Sequence, residues 1–204
     1  MKLCIDLCSG LEGLSSAFKK SLDYEVITVD MVESFNPTIV ADVRDLTRRE
    51  IEEASHFKSL DKYSEIGMIM SPPCTYFSRA AGVGFCRTGT AKSLTIVAGC
   101  VRLIEEIRPR WFVLENPDNG YLRFFLGKPN VKVKLDAFGY KTVKPTALWT
   151  NLPIGLIPES PNRNKTKNAW ANWQSPRPEI RAKMPEGLSQ LILESSQSIK
   201  VKSE

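Results

Sequence analysis

The sequence predicts an α/β fold, a mostly parallel sheet with helices on both faces. Three observations predict it. The chain opens on a strand, a glycine turn and a helix; short apolar runs such as Ile66-Gly67-Met68-Ile69-Met70 and Trp111-Phe112-Val113-Leu114 alternate with helical patterns. With 204 residues and 42 % apolar composition the chain is long enough for one sizeable core, and no long polar or Gly/Ser-rich stretch divides it.

Taken in order, Lys2 to Leu7 reads as a buried strand, Ser9-Gly10 as a turn, and Gly13 to Leu22 as the first helix. Leu14, Ala17, Phe18 and Leu22 share one face of that helix. Tyr24 to Val29 is a second strand ending in Asp30, and Thr38 to Ala41 a short third ending in Asp42. Thr47 caps a helix that begins Arg48-Arg49-Glu50 and runs to about Ala54. Ile66 to Met70 is the fourth strand, and a helix from about Ala91 to Ile107 carries Leu94, Val97, Val101 and Ile104 on one stripe. Trp111 to Leu114 is the fifth strand, and Val131 to Leu135 and Tyr140 to Leu148 read as later, antiparallel ones. A last helix starts at Met184-Pro185-Glu186-Gly187-Leu188 and runs through Leu193, before a frayed tail. The expected division is a core over 1–152, a basic Pro/Asn-rich segment over 153–185, and a C-terminal helix and tail over 186–204.

Composition narrows the class. The apolar runs fall far short of the ~20 residues needed to cross a bilayer, and the N-terminus enters a strand without a signal-peptide pattern. A soluble, cytoplasmic protein is expected. The five cysteines, at 4, 8, 74, 86 and 100, are odd in number and lack disulfide or metal spacing, which suits a reducing compartment with at least one free thiol. With one histidine, no metal centre is expected. A net charge of +5 permits nucleic acid as a partner without requiring it.

Two groups of residues carry chemistry. Asp6-Leu7-Cys8-Ser9-Gly10-Leu11-Glu12-Gly13 follows a strand and opens a helix, which suits an adenosyl cofactor, since glycine lets the backbone come close and the helix N-terminus offers N–H groups. Alone, such a turn is equally a plain strand-to-helix connection. The acids at the next strand ends tip the reading: Asp30 for ribose hydroxyls and Asp42 for an adenine amine, with Met31 and Val43 over the ring faces. Glu12 would repel a pyrophosphate, which favours a nucleoside cofactor over a dinucleotide. The second group is Pro72-Pro73-Cys74 after the fourth strand and Glu115-Asn116-Pro117 after the fifth, a thiol and a carboxyl at neighbouring strand ends. A Cys after a strand is more often a small buried hydrophobe, and Glu115 alone reads as a cap or surface acid. Together they suggest covalent catalysis. Thr75-Tyr76-Phe77-Ser78 with Ala81-Gly82-Val83-Gly84 reads as a loop that closes over a substrate.

The order of these parts, with Val-Asp at 29–30, Ala-Asp-Val at 41–43, Ser-Pro-Pro-Cys at 71–74 followed by Phe77-Ser78, and Leu-Glu-Asn-Pro at 114–117, resembles the pyrimidine C5 methyltransferases that act on cytosine in DNA. The resemblance covers about residues 1 to 150. It implies a Rossmann-like methyltransferase fold and S-adenosylmethionine as cofactor, held by Asp6, Cys8, Ser9, Gly10, Leu11, Asp30, Met31, Asp42, Val43 and Pro72. It also implies that Cys74 attacks C6 of a flipped cytosine and Glu115 holds and protonates N3, with Asn116 and Ser78 in the catalytic set.

Several positions depart from the family pattern. Family members usually carry an aromatic residue at Cys8, a glycine at Glu12 and a valine at Pro117. Their Arg-x-Arg segment is missing; Phe138-Gly139-Tyr140 leads instead to Lys144-Pro145-Thr146, and Lys144 or Arg79 takes over that charge, unless Lys144 is a solvated lysine and Trp149 core. No gap is large enough for a separate target-recognition domain. Between Pro153 and Pro185, however, Arg163, Lys165, Lys167, Arg177, Arg181 and Lys183 interleave with Trp170 and Trp173, a mixture suited to phosphate contact and base stacking if it is more than a solvated face. DNA is the expected partner, with a protein supplying target recognition as a further one; Arg79 joins the nucleic-acid contacts. The usual Gly-Asn-Ser run is absent near Met184, and no cofactor contact is assigned there. The alternatives are the same chemistry on RNA or a free pyrimidine nucleotide, or a non-catalytic nucleic-acid-binding relic. Short forms of this kind are associated with phages and mobile elements, which suggests protection from restriction.

Overall fold

The computed structural model describes residues 1–77, 87–141, 143–161 and 183–199. Among them, seven strands form one sheet: β1 (Lys2–Leu7), β2 (Tyr24–Asp30), β3 (Ile39–Val40), β4 (Ile66–Met70), β5 (Trp111–Pro117), β6 (Val131–Lys134) and β7 (Pro145–Thr150), in the order β3-β2-β1-β4-β5-β7-β6. β1 pairs parallel with β2 and β4, β2 with β3, and β4 with β5; β7 lies antiparallel between β5 and β6. Five α-helices accompany them: α1 (Ser16–Lys20), α2 (Arg48–Ala54), α3 (Arg87–Ile107), α4 (Arg123–Leu126) and α5 (Glu186–Gln197). The chain runs outward from β1 to β3 and then returns to β4 on the other side of β1. Strand order therefore reverses between β1 and β4, and a crevice opens at their C-terminal ends.

Period-two alternation sorts the strand residues onto two faces. Leu3, Ile5 and Leu7 of β1 join Met68 and Met70 of β4 in a core with Leu46, Ile51, Val97, Cys100 and Leu103. Cys4, Ile69, Trp111 and Val113 point the other way, into a core with Phe18, Leu188 and Ile192. On that second face Phe18 stacks on Trp111 with centroids 5.3 Å apart and meets Tyr24 edge-on at 5.0 Å. α2 begins where Thr47 and Glu50 form a reciprocal capping box, which satisfies N–H groups at both residues.

Five expectations change. The first helix starts at Ser16 rather than Gly13, since Gly13 to Ser15 form a turn in which Gly13 lies against the Met184 backbone; it ends before Leu22, which is 102 % exposed rather than core. On α3 the buried side is Ser93, Val97, Cys100, Leu103 and Ile107, and Val101 faces out. Small residues make the close contacts there, so a stripe read from large apolar side chains is rotated. β5 extends through Pro117 instead of ending at Leu114, since β7 supplies a ladder partner beyond the point where β4 leaves: Glu115 opposite Leu148, Asn116 opposite Ala147, Pro117 opposite Thr146. β7 itself begins only at Pro145, the preceding loop being closed by Leu135 N–H to Lys144 O at 3.2 Å and Tyr140 N–H to Leu135 O at 3.2 Å. Finally, α5 continues past Leu193 to Gln197. Its last serines are buried because their hydroxyls have partners, Ser195 donating to Leu191 O at 2.7 Å and Ser196 lying 3.2 Å from the Tyr24 hydroxyl.

Candidate active site

The crevice at the strand-order reversal is a cavity of about 450 Å3. All ten residues expected at a cofactor line it: Asp6, Cys8, Ser9, Gly10, Leu11, Asp30, Met31, Asp42, Val43 and Pro72. So do Cys74, Glu115 and Lys144. Residues from five strand ends thus meet in one space, as the switch-point rule anticipates.

At the β1–β2 end the turn is built from left-handed residues, Cys8 at φ +55°, Gly10 at +51° and Glu12 at +55°. This conformation explains why glycine suits the Glu12 position elsewhere in the resembling family. Glu12 itself pairs with Lys19 and lies outside the cavity lining. Gly10 N–H donates to Asp30 Oδ2 and Val32 N–H to Asp30 Oδ1, each at 2.9 Å, so the turn and the β2 end hold the carboxylate between them. Asp42 is clamped by Arg44, whose Nε lies 2.9 Å from Oδ1; this hydrogen bond holds the Asp42 pKa below its ordinary value. Asp6 is buried and accepts from Ser15 Oγ at 2.5 Å. Burial raises its pKa from 3.8 to about 7, the Ser15 hydrogen bond and Lys19 opposing while the charges of Glu12 and Asp30 add to the rise. Ser9 Oγ is buried in the wall with no partner among the described residues.

That wall fits S-adenosylmethionine. Three carboxyls and an unpaired hydroxyl suit a sulfonium, an ammonium and ribose hydroxyls, whereas a pyrophosphate would meet the acids unfavourably. Among the described residues no cluster of three or more His, Cys, Asp or Glu side chains is arranged to hold a metal ion.

At the β4–β5 end, Pro72 and Pro73 fix the chain before the half-buried Cys74. Asn116 Nδ2 donates to Pro72 O at 3.1 Å, bracing this turn from the neighbouring strand. Asn116 is fully buried and does not line the cavity, so its place is behind the Pro72-Pro73-Cys74 turn. Glu115 is 6 % exposed, and its Oε1 has no hydrogen-bond partner among the described residues. Burial pushes its pKa up, with the Lys144 ammonium pulling the other way. Lys144 is itself only 8 % exposed, immediately before β7, and β7's antiparallel register brings it to the mouth of β5.

Sequence reasoning missed part of the lining. Phe35, Ile96 and Met184 supply apolar wall, from a 3-10 turn, from α3 and from the segment before α5. Gly13 gives a partial clue to Met184, since a Cβ there would lie 2.6 Å from Met184 N. Ser78, Arg79, Arg163, Lys165, Lys167, Trp170, Trp173, Arg177 and Arg181 lie outside the described residues. No helix among the described residues is long and apolar enough to cross a membrane.

Comparison with known proteins follows the same lines. The family model described as C-5 cytosine-specific DNA methylase matches residues 3–143. A probable DNA (cytosine-5)-methyltransferase of Frog virus 3 (isolate Goorha) is 27 % identical over 191 residues, covering 81 % of this chain and 82 % of the viral protein. The solved structure of the Entamoeba histolytica methyltransferase EhMeth superposes with a TM-score of 0.50 at 15 % identity, over 78 % of this chain. The chain spans 57 % of that structure's length, and the likeness concerns the fold.

Proposed function

Because the chain belongs to the C-5 cytosine-specific DNA methylase family, we propose that it transfers a methyl group from S-adenosylmethionine to C5 of cytosine in DNA through a covalent adduct on Cys74. The observation that carries this reading is that Cys74 and Glu115 line the same cavity as the acidic cradle formed by Asp6, Asp30 and Asp42. When bound, S-adenosylmethionine supplies an electrophilic methyl group. The residues of the chain do the rest. Cys74, as thiolate, forms a bond to C6 of a cytosine turned out of the stack, and the C5=C6 electron pair moves to C5 while the Glu115 proton passes to N3. Lys144 donates to the base carbonyl and holds the ring's developing charge. After C5 accepts the methyl group, its proton leaves to a base; the electron pair reforms C5=C6 and expels Cys74 Sγ, and N3 returns its proton to Glu115. Asn116 acts as a positioning residue through Pro72.

Mass spectrometry of nucleosides from duplex DNA, single-stranded DNA and RNA, each incubated with the protein and S-adenosylmethionine, tests the reaction. The expected product is 5-methyldeoxycytidine from DNA. Oligonucleotides with 5-fluorocytosine test the adduct, since fluorine cannot leave as the proton does; wild type is expected to be trapped covalently and Cys74→Ser to be free. Methyl transfer at an unchanged rate by Cys74→Ser would remove the thiol from the reaction.

A further inference from the structure

One surface beside the nucleophile turn has no part in the chemistry above. Phe124 is 68 % exposed and its neighbour Phe125 46 % exposed, both on α4. Adjacent exposed phenylalanines are the kind of apolar patch that marks a contact surface. α4 is fixed to the Cys74 loop: Tyr121 N–H donates to Phe77 O at 2.7 Å, a Cβ at Gly120 would lie 2.8 Å from that oxygen, and the Phe125 and Phe77 rings are 6.5 Å apart. Arg123 holds its guanidinium 5.1 Å over the Phe124 ring, and the Tyr121 ring lies 6.4 Å away. The stretch of chain that carries them, 118–141, is cationic: Arg123, Lys128, Lys132, Lys134 and Lys141 outnumber two acids, of which Asp118 pairs with Lys132 at 2.7 Å and Asp136 is buried and bonded to Ser160.

We propose that Phe124 and Phe125 form a stacking platform for DNA bases adjoining the target cytosine, with Arg123 and Lys128 on the neighbouring phosphates. Exposed rings with a guanidinium over one of them, on a cationic segment, match a polyanion that carries aromatic faces, and they would meet a second copy of a chain of net charge +5 less favourably. Stacking tolerates every base, so it adds affinity without sequence discrimination. The proposal rests on the DNA reading given above.

The test measures binding of a fluorescently labelled single-stranded oligodeoxynucleotide and its duplex to the full chain without methyl donor, across a salt series. Phe124 is the residue to change, because Phe125 also packs on Phe77. Phe124→Ala is expected to weaken single-strand binding about tenfold, with Phe124→Trp restoring it and the slope of log affinity against log salt unchanged. Arg123→Ala is expected to reduce that slope by about one. Unchanged S-adenosylmethionine affinity in each variant reports an intact fold. If wild type binds DNA and Phe124→Ala binds it equally well, the platform is overturned; a wild-type dimer that Phe124→Ala converts to monomer would then assign the face to a second copy. Wild type that binds the cofactor and no DNA would overturn the DNA reading and the platform together.

Discussion

Two buried carboxyls define the site at the scale of single residues. Glu115 sits in a strand with one oxygen unpartnered among the described residues, and burial keeps its proton on at pH values where an exposed glutamate is ionised. Methyl transfer that uses this proton declines as pH rises through the raised pKa. Glu115→Gln is expected to lower kcat by about 10²–10⁴ and to abolish that alkaline decline, a pH–rate profile being the check. Asp6 allows a stability measurement. Its folded pKa of about 7 lies above the ordinary 3.8, so the folded state holds a proton that the unfolded chain has lost between those values. Its contribution is full below about pH 4 and is lost as pH rises toward 7, by roughly 4 kcal/mol at most. In urea unfolding without cofactor, Asp6→Asn is expected to gain stability relative to wild type at pH 8 and to show little of the fall between pH 5 and 8. Both residues were visible in the sequence as strand-end acids. Their environments were not, because burial depends on segments distant in the chain.

At the scale of elements, the C-terminal helix holds the start of α1, and with it the turn after β1, in place. Ser189 on α5 accepts from Ala17 N–H at 2.9 Å and donates to Leu14 O at 2.5 Å, satisfying two main-chain groups at the start of α1. Ser189→Ala leaves both unpaired in a buried interface and is expected to cost about 1–3 kcal/mol by denaturant unfolding. Gly13 meets the segment before α5 so closely that Gly13→Ala must displace Met184 and narrow or open the cavity wall. A several-fold loss of S-adenosylmethionine affinity in calorimetry, larger than any loss of stability, is the expected result. The elements themselves were largely legible: β1, β2, β4 and α2 follow from apolar runs and from the Thr47–Glu50 cap. The misread boundaries have one cause in common. The extra length of β5, the late start of β7 and the buried serines of α5 are set by partners that approach from other parts of the chain.

Over the whole molecule, the site depends on both layers of core, since the cavity takes lining from the C-terminal ends of β1, β2 and β5 and the turns after β3 and β4, from α3 and from the segment before α5. Cofactor that binds only this folded arrangement stabilises all of it. At 100 times its dissociation constant, S-adenosylmethionine is expected to add about 2.7 kcal/mol to unfolding in urea, and S-adenosylhomocysteine to do the same at the same multiple of its own constant. By itself the sequence determined the fold class, the order of motifs along the chain and the chemistry each is able to perform, because strand periodicity, turn residues and a nucleophile flanked by prolines are local properties. Only the tertiary structure decided which of those residues share a space: Lys144 and Glu115 line one cavity, Asn116 sits behind Cys74, Met184 adds to the cavity wall, and Phe124 is left exposed beside the Cys74 loop. Pairing register and packing are long-range consequences of burying two apolar faces at once, and no single stretch of sequence contains them.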